Sequence, residues 1–245
     1  MLICVNEFCA NGDHEELHKL RVEIKKLKAY AAFASKITGE NFKKRFEPII
    51  DIFKKAGEIR TAQLNLETIK KYRIRSTGFK KAQQAVSENV SKQLIASSQR
   101  YMDNIKSVCS SMQDECRDIS NKKILKFYTA KIESLFLFFS QNFDEKNLHA
   151  KRKIIKMLMY AENLVPGKLK EEMALNTSYL DALQDTAGKW HDAIIIIDLL
   201  NNIQTSKEKT DRLSQEKEGL LQAVKLLATH FEKNLSLKKT IYTGP

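Results

Sequence analysis

His18 and His149 each open a run of positive side chains, HKLRVEIKKLK and HAKRKIIKMLM, and the two runs lie 131 residues apart. Arg follows each histidine by three residues and Lys by seven, giving Arg21 and Lys25 in one run, Arg152 and Lys156 in the other. Lys28 extends the first run; Met159 takes its place in the second. The same offset carries Ala56-Gly57 onto Ala187-Gly188. These side chains suit phosphate. Arg presents a planar fork that grips two oxygens at once, and Lys adds a mobile point charge. Histidine titrates near neutral pH, and a neighbouring anion favours its charged form. Their repetition, in one order and at one spacing, predicts a duplicated site for a long anion.

Helical geometry sharpens this. At about 100° per residue, His18, Arg21, Lys25 and Lys28 fall in one stripe about 80° wide. Leu17, Leu20, Ile24 and Leu27 form an apolar stripe beside it, so the cations border the buried face rather than opposing it. In the second run His149, Arg152 and Lys156 lie beside Leu148, Ile155 and Leu158 in the same way, with Lys153 at the far edge. A single lysine at such an edge usually snorkels into solvent and does nothing specific. A set that recurs with its histidine at the same phase weighs against that. The stripe itself contains no acid, and such crowding of like charge is relieved when an anion binds. If the two histidine-led helices face each other, their positive edges converge on one shared basic trough.

The elements that must position these residues are helical. Asp13 with Glu16 three residues on predicts a capping box opening a helix to about 38, ended by Gly39. A helix over 41–56, bending at Pro48, is expected to break at Gly57 before another over 58–73, and a long polar helix follows over 78–108. The second copy repeats the plan. Asp144 opens a helix to about 164, Pro166-Gly167 ends it, helices over 169–186 and 189–203 flank Gly188, and a last one covers 206–236. Residues 112–142 have no counterpart and read as a connecting helix, whose Phe136, Phe138 and Phe139 offer a dimer contact. The β-branched run Ile194–Ile197 reads as buried helix. The expected fold is all-α. Two four-helix bundles, 13–108 and 144–236, are related by pseudo-two-fold symmetry and joined by the connecting helix within a single domain, 1–245.

Composition narrows the function. The 245 residues include 42 Lys and Arg against 30 Asp and Glu, a net charge of +12. That surplus calls for a polyanion: nucleic acid, an anionic membrane or a phosphate polymer. The longest apolar runs, LFLFF and AIIII, fall far short of the roughly 20 residues a membrane span needs, and MLICVNEFC lacks the basic start of a secretory signal. A cytoplasmic protein is expected, with no membrane partner. Four scattered cysteines make no disulfide framework, and Cys4, Cys9, His14 and His18 match no zinc-finger spacing.

Two rival functions leave weaker marks. Nucleic-acid binding has the charge, but the basic stripes lack the interleaved aromatics on which single-stranded bases stack. A metal-dependent phosphohydrolase of the HD type would use His191-Asp192 with His149 and Asp198. Under the offset, however, His191 falls on Arg60 and Asp192 on Thr61, and Asp192 just after a helix break reads as a cap. There is no glycine-rich phosphate loop, no Ser-His-Asp grouping and no carboxylate pair at catalytic spacing. No catalytic residue, metal or cofactor is expected.

The twin His-x-x-Arg helices, each followed by further cations and later by a glycine, resemble the CHAD family, the conserved histidine α-helical domain. The resemblance covers nearly the whole chain. It implies two four-helix bundles around a basic central cavity that binds inorganic polyphosphate, and association of bacterial members with polyphosphate granules. By position, His18, Arg21, Lys25 and Lys28 match the first cationic helix, and His149, Arg152 and Lys156 the second; Lys54, Arg60 and Lys153 are further candidate cations. The family's Arg-Asp after the first glycine becomes Arg60-Thr61, and its Asn-Asp after the second becomes His191-Asp192. Tyr160 fits the family's aromatic, whereas Met159 replaces a usual Arg, which implies a weaker second half-site. The Glu-x-Glu-x-Lys pattern of the triphosphate-tunnel domain that often accompanies the family is missing, so a stand-alone binding module is expected.

Overall fold

The structure, a computed structural model, describes residues 1–115, 120–203 and 207–235, apart from the side chains of residues 43 and 113–115. The described residues form helices and no strand, as the periodicity predicts. They cluster into two units, 1–119 and 120–245.

In the first unit, α1 (Leu2–Asn11) ends at Gly12, whose φ of 68° places it in the left-handed region that glycine enters without strain. Helix α2 (His14–Thr38) starts at Asp13, whose carboxylate accepts the Glu15 N–H at 2.8 Å. Glu16 does not complete the expected capping box; it pairs with Lys19 instead. Leu17, Leu20, Ile24, Ala31 and Ala34 recur at helical spacing and are buried, each Leu or Ile contributing roughly 1.5–3 kcal/mol. Gly39, at φ 85°, stops α2 where the sequence predicts.

A short α3 (Phe42–Arg45) and a 3-10 turn, Glu47–Ile49, lead into α4 (Ile50–Lys71). Pro48 sits in the first turn of that 3-10 segment, where its missing N–H costs nothing. The expected break at Gly57 does not occur: α4 runs straight through it. Glycine inside a helix costs only about 1 kcal/mol against alanine, so its presence needs a packing reason rather than an interruption. The expected 78–108 helix is two, α5 (Thr77–Ala96) and α6 (Ser98–Glu115). They divide at Ser97, whose ψ of 6° leaves the helical region. The reorientation seats the fully buried Tyr101, whose hydroxyl donates to Asp51 on α4 at 2.5 Å. Helix α4 packs along both α2 and α5.

The second unit contains α7 (Asn121–Ser140), α8 (Glu145–Ala161), a 3-10 turn Glu162–Leu164, α9 (Gly167–Met173), α10 (Thr177–Asn202), α11 (Lys207–Ala228) and α12 (Phe231–Leu235). Asp144 caps α8 as expected, accepting the Lys146 N–H at 3.0 Å. Gly188 interrupts nothing: α10 joins the later part of the expected 169–186 helix to the expected 189–203 helix, while the first residues of the former belong to α9. Ile194–Ile197 is helical as expected but not buried, Ile195 being exposed. The expected last helix is α11 and α12; residues 204–206 and 236–245 lie outside the described set, as do 116–119 and with them Cys116.

The single connecting helix expected over 112–142 is also divided. Its first residues end α6, and its bulk is α7, which packs against α8, α11 and α12. The 131-residue offset places α1 on 133–142, over the C-terminal half of α7. Phe8 and Phe139 correspond and both are buried. Phe138 and Phe139 serve their own unit's core, with Phe139 5.1 Å from Phe231 between ring centres, and so are not free for a dimer contact. Among the described residues no helix is long and apolar enough to cross a membrane.

Candidate functional site

In the first unit the cationic edge of α2 meets α4 at its glycine. The Arg21 guanidinium crosses α4 there: a β-carbon on Gly57 would lie 3.2 Å from Arg21 Cζ and nearer still to Nη1. Arg21 Nη1 donates to the Phe53 carbonyl at 2.7 Å, and its Cζ lies 4.4 Å from the centre of the Phe53 ring. That carbonyl stands four residues before Gly57, so it also accepts the helical N–H; a carbonyl oxygen has two lone pairs and serves both. Burial holds the guanidinium's pKa below its ordinary value, although arginine stays charged. Lys28 Nζ lies 5.1 Å from the Phe53 ring centre and 5.9 Å from that of Phe46.

The second unit repeats the device residue for residue. Arg152 Nε donates to the Gln184 carbonyl at 2.9 Å, four residues before Gly188, and a β-carbon on Gly188 would lie 3.0 Å from Arg152 Cζ. The glycines that the sequence singles out are therefore landing sites for the duplicated arginines. Asp192, inside α10, caps nothing.

Around this shared device the halves differ. Arg21 and Lys54 line one cleft of about 410 Å³ with Gly57, Glu58, Thr61 and Gln83. Arg21, Lys28 and Lys54 make no ion pair among the described residues. Lys25 and His18 are exposed on the same helix. Arg60 also acts on His14 at the head of α2, whose pKa burial lowers against the pull of Asp13, with Arg60 adding a smaller effect. Of the candidate cations, Arg21 and Lys54 line one cleft and Lys28 shares the Phe53 ring with Arg21. The sequence misses Phe53, the ring beneath two of the cations. The 36-residue separation of Arg21 from Gly57 and of Arg152 from Gly188 was the available signal for the arginine–glycine contacts.

In the second unit His149 stacks on His191, ring centres 3.9 Å apart and planes inclined by 27°. Its Nδ1 is buried without a hydrogen-bond partner. Burial, then His191, Lys153 and Arg152, push the His149 pKa down to about 4, and burial likewise lowers that of His191. Lys153 is exposed. Lys156 is half-buried; burial and then Arg152 hold its ammonium below the usual range, against the opposing pull of Asp181, Asp185 and Asp192. The stripe on α8 itself contains no acid, as expected; these carboxylates belong to the neighbouring α10.

The stacked pair gives a prediction. His149 has a lower pKa folded than unfolded, so the unfolded chain takes up the proton first as pH falls. Stability should hold above about pH 6.5 and decline between there and about pH 4, by about 2 kcal/mol once partial solvent exposure is allowed for. Thermal melts of the parent and His149→Gln across this range check it. The substitution should flatten that part of the profile, and superimposable profiles would contradict it.

Among the described residues no three His, Cys, Asp or Glu side chains stand close enough to hold a metal ion. His149, His191, Asp192 and Asp198 thus do not assemble into a metal site, nor do Cys4, Cys9, His14 and His18. A sequence model of the CHAD domain matches residues 3–201, most of the chain. No curated protein and no solved structure matches it. With the matched span covering both histidine-led helices and both arginine–glycine contacts, the chain belongs to the CHAD family.

Proposed function

We propose that this protein binds inorganic polyphosphate without chemically altering it, at the cationic face built where α2 crosses α4. The observation that carries this reading is the placement of Arg21, Lys28 and Lys54. Arg21 is held at a fixed position by the Phe53 carbonyl and Gly57, Lys54 lines the same cleft, and Lys28 shares the Phe53 ring. A guanidinium anchored through one nitrogen keeps its remaining N–H groups for an anion, and anchoring removes much of the ordering cost that binding otherwise carries. Lys25 and His18 extend the face along α2. Arg152 and Lys156, with His149 and Lys153 beside them, occupy the corresponding positions in the second unit.

Family membership supports the polymer in particular, since polyphosphate is the ligand that the resemblance implies, and granule association is its expected setting. The same reading takes the two units as copies of one helical bundle. Shifting α4 by 131 residues gives 181–202, within α10, and shifting α5 gives 208–227, within α11. The aromatic rings near the first face do not favour nucleic acid: Phe46 is buried, and Phe53 already lies under Arg21 and Lys28.

A competition titration tests the choice of polyanion. Labelled polyphosphate bound to the protein is challenged with unlabelled polyphosphate or with single-stranded RNA at equal charge concentration. Polyphosphate is expected to displace the probe at least about tenfold more effectively, since RNA presents one phosphate charge per nucleotide at wider spacing. Equal displacement by RNA would replace this reading with general polyanion binding.

A further inference from the structure

The two arginine–glycine contacts sit in opposite electrostatic surroundings. On α4 the residues flanking the contact, at helical spacing along one stripe, are Ile50, Lys54, Gly57 and Thr61. On α10 the corresponding residues are Asp181, Asp185, Gly188 and Asp192. Positions i, i+4, i+7 and i+11 stay on one helix face, so each stripe runs beside its arginine and toward the cations of the neighbouring helix. The exchange extends one step further: Lys54 and Glu58 in the first unit correspond to Asp185 and Lys189 in the second. Asp185 pairs with Lys189 at 2.8 Å, while Asp181, Asp185 and Asp192 all act on Lys156. All three carboxylates are exposed, so they stand where an incoming anion must approach. Met159 in the place of Lys28 removes one more cation from the same face.

Resting on the polyphosphate reading above, we propose that the duplicated halves have divided their work. The first unit supplies the phosphate-binding half-site, and in the second Asp185 and Asp192 occupy the electrostatic place of the ligand, holding that face closed to polyphosphate. The carboxylates act as a built-in competitor: they stand on the stripe that receives Arg152 at Gly188, favour the charged form of Lys156 and repel a phosphate chain. This predicts a polymer bound through one face, with the second engaged only when its own acids are removed.

The test uses the full chain and long-chain polyphosphate at about 150 mM salt. Asp185→Asn/Asp192→Asn removes the competitor and leaves Asp181, whose carboxylate accepts a hydrogen bond from Gln184 at 2.7 Å, in place. Asp211→Asn/Glu216→Gln removes the same charge from exposed positions on α11 and controls for net charge. Affinity is expected to rise roughly tenfold in the first variant and by less than about threefold in the control. Asp185→Lys, which copies the first unit's residue, should raise it further. Equal gains in the test and control variants, or no gain in either, would overturn the division of work while leaving polyphosphate binding intact. A parent chain that fails to bind polyphosphate would instead overturn the underlying function, and this proposal with it.

Discussion

Gly57→Ala is expected to destabilise the chain by about 1–2 kcal/mol, yet to stabilise it by about 0.5–1 kcal/mol when Arg21 has already been replaced by Ala. Two opposing terms produce the reversal. Alanine inside a helix is better than glycine by roughly 0.5–1 kcal/mol, because glycine gives up more backbone freedom on folding. Against this, the new β-carbon takes the space of the Arg21 guanidinium and breaks its bond to the Phe53 carbonyl, a charge-assisted contact worth about 1.5–3 kcal/mol. With Arg21 truncated nothing remains to displace, and only the helix gain survives. Urea melts of the four proteins in this cycle give the coupling directly. The cycle built on Arg152 and Gly188 should behave alike, since the contacts correspond. Additive effects of the two substitutions would mean that arginine and glycine do not depend on each other.

The second large effect concerns binding. Arg21 joins α2 to α4 as well as lining the proposed site, so replacing it mixes folding with affinity. Lys28 and Lys54 separate the two. Lys54 is exposed, and Lys28 lies over the Phe46 and Phe53 rings at distances where an exposed cation–π contact is worth about 0.5–1 kcal/mol. Lys28→Gln/Lys54→Gln should therefore melt within a few degrees of the parent while binding polyphosphate at least about tenfold more weakly, on the basis of roughly 1 kcal/mol or slightly less for each lost cation. Calorimetric titration beside a thermal melt reads both quantities on one preparation. Unchanged affinity in a folded variant would remove these lysines from the site.

What could be read from the residues alone, and what could not, follows the range of the interactions involved. Local signals placed α2 well: Asp13 at its start, Gly39 at its end and the Leu17-Leu20-Ile24 spacing between them all act within a turn or two. The glycines at 57 and 188 misled because a glycine reads locally as a break. Their actual cause is an arginine 36 residues earlier in the chain, which only packing reveals. Ser97 divides α5 from α6 for a comparable reason, since Tyr101 must reach Asp51 about 50 residues away. Under the 131-residue offset α1 falls on the end of α7, where the buried Phe8 and Phe139 coincide without any shared motif. At the site, the cationic edge of α2 was legible from period and charge. The acids opposite Lys156 were not, because Asp181 and Asp185 belong to a helix whose register against α8 depends on Arg152 meeting Gly188.

The most direct test of polyphosphate binding through the first unit's cationic face is the salt dependence of affinity in the parent and in Lys28→Gln/Lys54→Gln. Each cation that meets the polymer releases condensed counterions, so log affinity should fall linearly with log salt, and the variant's slope should be shallower by about two. A parent whose affinity does not respond to salt, or a variant with the parent's affinity and slope, would contradict it.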